Sequence, residues 1–144
     1  MNPYYGRRRA EAPKEERGLR KVFICSPFHP AGETKAEIAA DLERNLERAK
    51  LACRAAVDRG YVPYAPHLYF PQFLSEDDED EREMGILLGL TWLARCDELW
   101  VIGTRISDGM KKELEMAHEW GIPVRFMLPV KADRERKVSI YDEF

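Results

Sequence analysis

Two short runs in this chain are apolar without a break, and each leads through a turn into a stretch of helical period. They are Lys21-Val22-Phe23-Ile24-Cys25-Ser26 and Glu98-Leu99-Trp100-Val101-Ile102-Gly103. Neither shows the in-out alternation of a strand with one wet face. Unbroken apolar runs of this length suit strands buried on both sides, as in parallel sheets covered by helices. After the first run, Ser26-Pro27-Phe28-His29-Pro30-Ala31-Gly32 breaks the strand, and Thr34 with Glu37 makes a capping-box signature. Ile38, Leu42, Leu46, Ala49, Cys53, Ala56 and Val57 then keep a helical period up to Gly60.

Residues 61–65 read as a second strand stopped by Pro66. An aromatic, irregular stretch follows, then an acidic run over 75–81 that suits a helix N-terminus. That second helix is expected to reach about Cys96 through Met84, Leu87, Leu88 and Trp92. Beyond the strand at 98–103, residues 110–120 read as a third helix stopped by Gly121, and 123–128 as a fourth strand. Val138-Ser139-Ile140-Tyr141 reads as a fifth short strand or an arm on a neighbour. Strict alternation of strand and helix predicts a three-layer α/β/α sandwich of Rossmann-like (flavodoxin-like) build, with a parallel sheet of four to five strands. In such sheets the ligand crevice lies beyond the carboxyl ends of the strands. The segments 26–32, 66–74 and 104–113 should therefore meet there. The expected organisation is a mobile arm over 1–20, the domain over 21–130, and a tail or short strand over 131–144.

The 144 residues are enough for one self-sufficient core. Net charge is −3, with acids and bases interleaved. That balance argues against nucleic acid as a partner, which would call for a basic face. Cys25, Cys53 and Cys96 are odd in number and widely spaced. They predict neither a zinc site nor a disulfide framework, but buried thiols in a reducing cytoplasm. No apolar stretch is long enough to span a membrane, and the first residues lack the apolar core of a signal peptide.

The loop and helix start over 103–113 hold the strongest candidate site. A helix N-terminus offers free N–H groups and a positive dipole to an anion. Gly109 lets backbone approach a ligand closely, and Ser107 can cap the helix or meet a phosphate oxygen. Asp108 lies beside them, and Glu113, about one turn in, can face the same crevice. The plain alternative is a capped surface helix with a solvated Glu113. Ser26, Pro27 and Phe28 open the first crevice loop and count as ligand contacts. His67 either protonates a leaving group or touches phosphate, or is a loop histidine bonded to backbone. Tyr69 can stack on a base and Gln72 can meet a base edge, although aromatics here equally pack under a long loop. Arg105 is a phosphate partner or a surface arginine. His29 and His118 read as surface residues and Asp97 as structural. Gly85 and Gly89 allow close helix approach, a dimer contact being one use, or leave room for a ligand.

In order and spacing these pieces resemble the nucleoside 2-deoxyribosyltransferase-like superfamily. The matching residues are Val22-Phe23-Ile24-Cys25-Ser26-Pro27, Cys96-Asp97-Glu98-Leu99-Trp100-Val101, Ser107-x-Gly109-x-x-x-Glu113-Leu114-x-x-Ala117 and Gly121-Ile122-Pro123-Val124. The superfamily includes deoxyribosyltransferases, nucleoside 5′-monophosphate N-glycosidases and uncharacterised bacterial and phage members. Pro66-His67-Leu68-Tyr69-Phe70 looks closest to the uncharacterised branch. The resemblance implies an N-glycosidic-bond enzyme, hydrolase or transferase, with Glu113 as nucleophile. Ser107 and Gly109 would hold a 5′-phosphate and His67 would assist. It implies a homodimer or larger assembly and no cofactor or metal. The chain departs from the pattern in three places. Gly89 stands where an aspartate is common, Glu115 where a glycine is usual, and Ser26-Pro27 in place of a glycine-rich turn. These departures bear on catalysis more than on binding, and a non-catalytic nucleotide-binding or sensing module on the same fold is the alternative. A pure interaction protein would need the crevice filled by Phe28, Tyr69 or Phe70.

Overall fold

The computed structural model describes residues 18–129 and 141–143. The arm expected over 1–20 and the tail over 131–144 lie largely outside those residues. The elements in chain order are β1 (Arg20–Cys25), α1 (Lys35–Asp58), β2 (Tyr61–Tyr64), two 3₁₀ turns (Pro66–Leu68 and Phe70–Gln72), α2 (Glu79–Leu93), β3 (Glu98–Ile102), α3 (Asp108–Glu119), β4 (Val124–Pro129) and β5 (Tyr141–Glu143). The sheet runs β2-β1-β3-β4-β5, and the first four strands are parallel. The four parallel strands are those expected, and β5 adds a fifth, antiparallel to β4.

β1 and β3 are central and buried on both faces, as their unbroken apolar runs require. Val22, Ile24, Trp100 and Ile102 form one core with Ala52, Ala55 and Ala56 of α1. Phe23, Cys25, Leu99 and Val101 form the other, with Leu93 of α2 and Met110 and Ala117 of α3. α1 is capped as the sequence indicates, the Glu37 N–H donating to Thr34 Oγ1 at 3.1 Å. Its inward face is only in part the one expected, Ala49 and Ala56 being buried and Cys53 packed on the core. Asn45, Ala49, Ala52, Ala55 and Ala56 are buried, whereas Ile38 and Val57 are exposed. Small side chains let this long helix lie close on the sheet.

Asp97 brackets the start of β3 against β1. Its backbone N–H donates to the Lys21 carbonyl at 2.8 Å, and its carboxylate accepts from the Lys21 N–H at 2.7 Å. Beside it Glu98 is buried and paired with Arg20 at 3.5 Å and with Arg125. This ionic cluster lies at the amino ends of the strands, away from the crevice. Among the described residues, no helix is long and apolar enough to cross a membrane.

Candidate active site

The strand order reverses between β1 and β3, since β1 runs on to β2 on one side and β3 to β4 on the other. At such a switch point the loops leaving the two strands part and open a crevice at their carboxyl ends. A cleft of about 740 Å³ lies there, a size that suits a ligand of nucleotide dimensions. The three expected segments meet in it, through Phe28 to Ala31, through Pro66, His67, Phe70 and Pro71, and through Arg105 to Gly109 with Glu113. A fourth wall comes from α2, including Arg82, Gly85, Ile86 and Gly89. The sequence offered one sign of that wall, the glycines one helical turn apart. A Cβ at Gly89 would meet Pro66 Cβ at 3.8 Å, an ordinary contact.

α3 starts where Ser107 caps it, Oγ accepting from the Met110 N–H at 3.4 Å. From there Met110, Glu113 and Ala117 fall on one stripe at helical spacing, and all three are buried. Glu113 is thereby turned inward. It is only 8% exposed, lines the cleft, and its Oε2 meets no hydrogen-bond partner among the described residues. Burial pushes its pKa up to about 7, although the Cys25 thiol beside it favours the carboxylate. Cys25 itself is fully buried at the end of β1, and its thiol titrates well above the usual range, through burial first and the Glu113 charge second. Nothing in the spacing of Cys25 pointed to this partnership, because the two residues meet only when β1 and α3 pack. Asp108 and Gly109 begin the helix beside the cleft, Asp108 pairing with Lys111 at 3.6 Å. A Cβ at Gly109 would meet nothing within 4 Å, so open space adjoins it.

His67 stacks on Phe28, ring centroids 4.9 Å apart and planes 17° from parallel. Burial drives its pKa down to about 4, against the pull of a hydrogen bond to the Ser26 backbone. The imidazole is thus neutral near pH 7. Arg105 donates to the His29 carbonyl at 3.4 Å and pairs with Asp41 at 3.6 Å. Asp41 also accepts from the Ala31 N–H at 2.7 Å. That bond, with Arg105 and Arg44 nearby, holds its carboxyl below the usual range. Arg105 and Asp41 thereby tie the β1–α1 and β3–α3 loops together at the rim. Asn45, unmarked in the sequence, donates from inside α1 to the Phe28 carbonyl at 3.3 Å and seats the first loop.

Four of the candidate contacts stand outside the cleft lining. Ser26 is fully buried, its hydroxyl without a partner among the described residues, and Pro27 is buried next to it. Tyr69 is half exposed and packs on Phe70 and Phe73. Gln72 bends back to the Leu68 carbonyl at 2.6 Å. The 3₁₀ turns roll both side chains away from the crevice while Phe70 turns toward it. His29 and His118 are exposed. The three cysteines are thiols, and burial lifts Cys53 and Cys96 to about 11. Among the described residues, no group of three or more His, Cys, Asp or Glu is arranged to hold a metal ion.

A family model described as "Domain of unknown function (DUF7768)" matches residues 20–127, and the chain belongs to that family. No curated protein matches it in sequence. In fold it is similar to a 2-deoxyribosyltransferase from the psychrotolerant bacterium Bacillus psychrosaccharolyticus. The TM-score is 0.57 and the identity 20%, over 78% of this chain and 74% of that one. A conserved protein from Enterococcus faecalis V583 aligns with a TM-score of 0.49 and 20% identity, over 83% of this chain and 69% of that one. The first likeness supports the deoxyribosyltransferase-like α/β fold.

Proposed function

We propose that this member of its family binds a nucleotide or nucleoside and cleaves or exchanges the N-glycosidic bond, with Glu113 as nucleophile. The observation that carries this reading is the placement of Glu113. It is a buried carboxylate in an open cleft, beside the Cys25 thiol and with one oxygen unpartnered. Structural carboxylates with that degree of burial are normally paired, as Glu98 is here. In this reading the carboxylate captures the electron-poor anomeric carbon as the base departs with the bonding electrons. Water or a second base then attacks the same carbon and frees Glu113. The departing base takes up one proton, and water gives one up when it resolves the intermediate. The start of α3, with Ser107 and Gly109, receives the 5′-phosphate, which relates the chain to nucleoside monophosphate glycosidases. His67, neutral near pH 7, contacts the ligand better than it donates a proton.

The alternative, a nucleotide-binding or sensing module without catalysis, draws on one observation. Gly89 lines the cleft but brings no carboxylate where related enzymes commonly have one. A pure interaction role fits less well, because the cleft is open and not filled by Phe28 or Phe70. The reading includes a cytoplasmic setting and assembly into at least a dimer. The face of α2 where Met84 is 48% and Leu87 59% exposed suits that contact.

The test incubates the intact chain with ribo- and deoxynucleosides and their 5′-monophosphates and follows free base by chromatography. Base release that disappears in Glu113→Gln supports the enzyme. No release, with a nucleotide still raising Tm, transfers the case to the binding module.

A further inference from the structure

Arg82, Gly85, Ile86 and Gly89 face the cleft from α2 at helical spacing, and two of the four have no side chain. Glycine is a poor helix former beside alanine, so a helix interior carries it where conformation, packing or a ligand calls for it. Conformation does not call for it here, since both glycines lie within α2 and neither has a positive φ. Packing does not call for it either. A Cβ at Gly85 would meet Leu74 Cδ1 at 3.7 Å, and one at Gly89 would meet Pro66 Cβ at 3.8 Å, both ordinary contacts. What the missing side chains leave is room in the cleft. An independent sign that this room takes a ligand is Glu113, which lines the same cleft, is 8% exposed and keeps Oε2 without a partner among the described residues.

The nearness of Pro66 puts Gly89 beside the turn that brings His67 and Phe70 to the cleft. With a nucleotide's phosphate at the start of α3 and its sugar at Glu113, the base is the part left for the corner between that turn and α2. A stretch of helix without side chains gives a ring face a surface to lie on, and the aromatic rings of the turn line the same corner. We infer that Gly85 and Gly89 determine specificity: they keep the α2 wall bare so that a base, above all a two-ring base, lies against it. The inference rests on the nucleotide reading above. A methyl group at either position takes space from the base, and a purine loses more than a pyrimidine because its second ring reaches further from the sugar.

Alanine variants of the intact chain test this by calorimetric titration with the 5′-monophosphates of deoxyadenosine, deoxyguanosine, deoxycytidine and thymidine, with thermal melts alongside. Gly89→Ala should melt no lower than the parent, yet bind the two purine nucleotides about tenfold more weakly or worse and the pyrimidine nucleotides with a smaller loss. Gly85→Ala should act in the same sense. Thr91→Ala, on an exposed position of α2, should bind as the parent does. Parent-like purine affinity in Gly89→Ala overturns the inference, as does an equal loss for all four nucleotides, which would put the strip under the sugar or phosphate. A melt well below the parent's also overturns it, because packing would then have required the glycine. Each of these leaves the nucleotide reading standing. Failure of every nucleotide to bind the parent overturns both.

Discussion

Glu113 on α3 and His67 in the first 3₁₀ turn line one cleft, and their titrations are inverted. The carboxyl is lifted to about 7 and the imidazole lowered to about 4. Burial penalises the charged form of each, so the acid moves up and the base moves down. Between roughly pH 4 and 7 the folded protein therefore holds both mainly uncharged. Desolvation outweighs any mutual attraction, which would have moved each the other way.

This inversion gives two opposed slopes of stability with pH. Glu113 has a raised folded pKa, so its contribution is present below about 4.5 and lost as pH rises through about 7. His67 has a depressed folded pKa, so its contribution is present above about 6.5 and lost as pH falls through about 4. Glu113→Gln removes the first slope alone. Relative to the parent, the variant should gain stability between pH 5 and 8, by about 3 kcal/mol at most. Urea midpoints at the two pH values measure this, and an equal difference at both would contradict it.

In the proposed reaction the ionised carboxylate is the reactive form. The value of kcat/KM for base release should rise with pH and level off above about 7, following Glu113. Glu113→Gln should cut release about a thousandfold or more while nucleotide affinity changes only a few-fold. A variant that keeps a tenth of the parent rate would remove the nucleophile from this assignment.

Cys25 sets where that limb falls. The thiol lies beside the carboxylate and favours its ionised form, while its own hydrogen bond is to the Met110 carbonyl at 4.0 Å. Cys25→Ala should move the limb to higher pH, and Cys25→Ser, which keeps a donor, should move it less. The pH–rate profile reads this separately from any loss of stability. An unmoved limb in Cys25→Ala would mean that the thiol only fills space.

Two glycines make a contrasting pair. Gly32 has φ +151°, and a Cβ there would come within 2.8 Å of Glu37 Cβ. Gly32→Ala should cost about 1–3 kcal/mol by strain and crowding where the first loop enters α1. Gly89 sits within α2 with only Pro66 Cβ at 3.8 Å, so Gly89→Ala should be neutral or stabilising by up to about 1 kcal/mol. Thermal melts of both variants settle the comparison.

The sequence by itself determined the alternation of elements. Unbroken apolar runs at β1 and β3 have no stable place but a sheet covered on both faces, and Thr34 and Ser107 mark helix starts by local hydrogen bonding alone. Parallel order then required the loops after β1, β2 and β3 to meet at one end. Tertiary structure decided which side chains face inward. Helical period spaces a stripe but does not orient it, so α1 packs through Ala49, Ala52 and buried Asn45 and leaves Ile38 and Val57 outside. The same freedom turned Tyr69 and Gln72 away and made α2 a wall of the cleft. Local sequence could not place the acid–base levels of Glu113 and His67. Those levels follow from water excluded by residues far apart in the chain, with Cys25 on one element and Glu113 on another meeting only in the folded state.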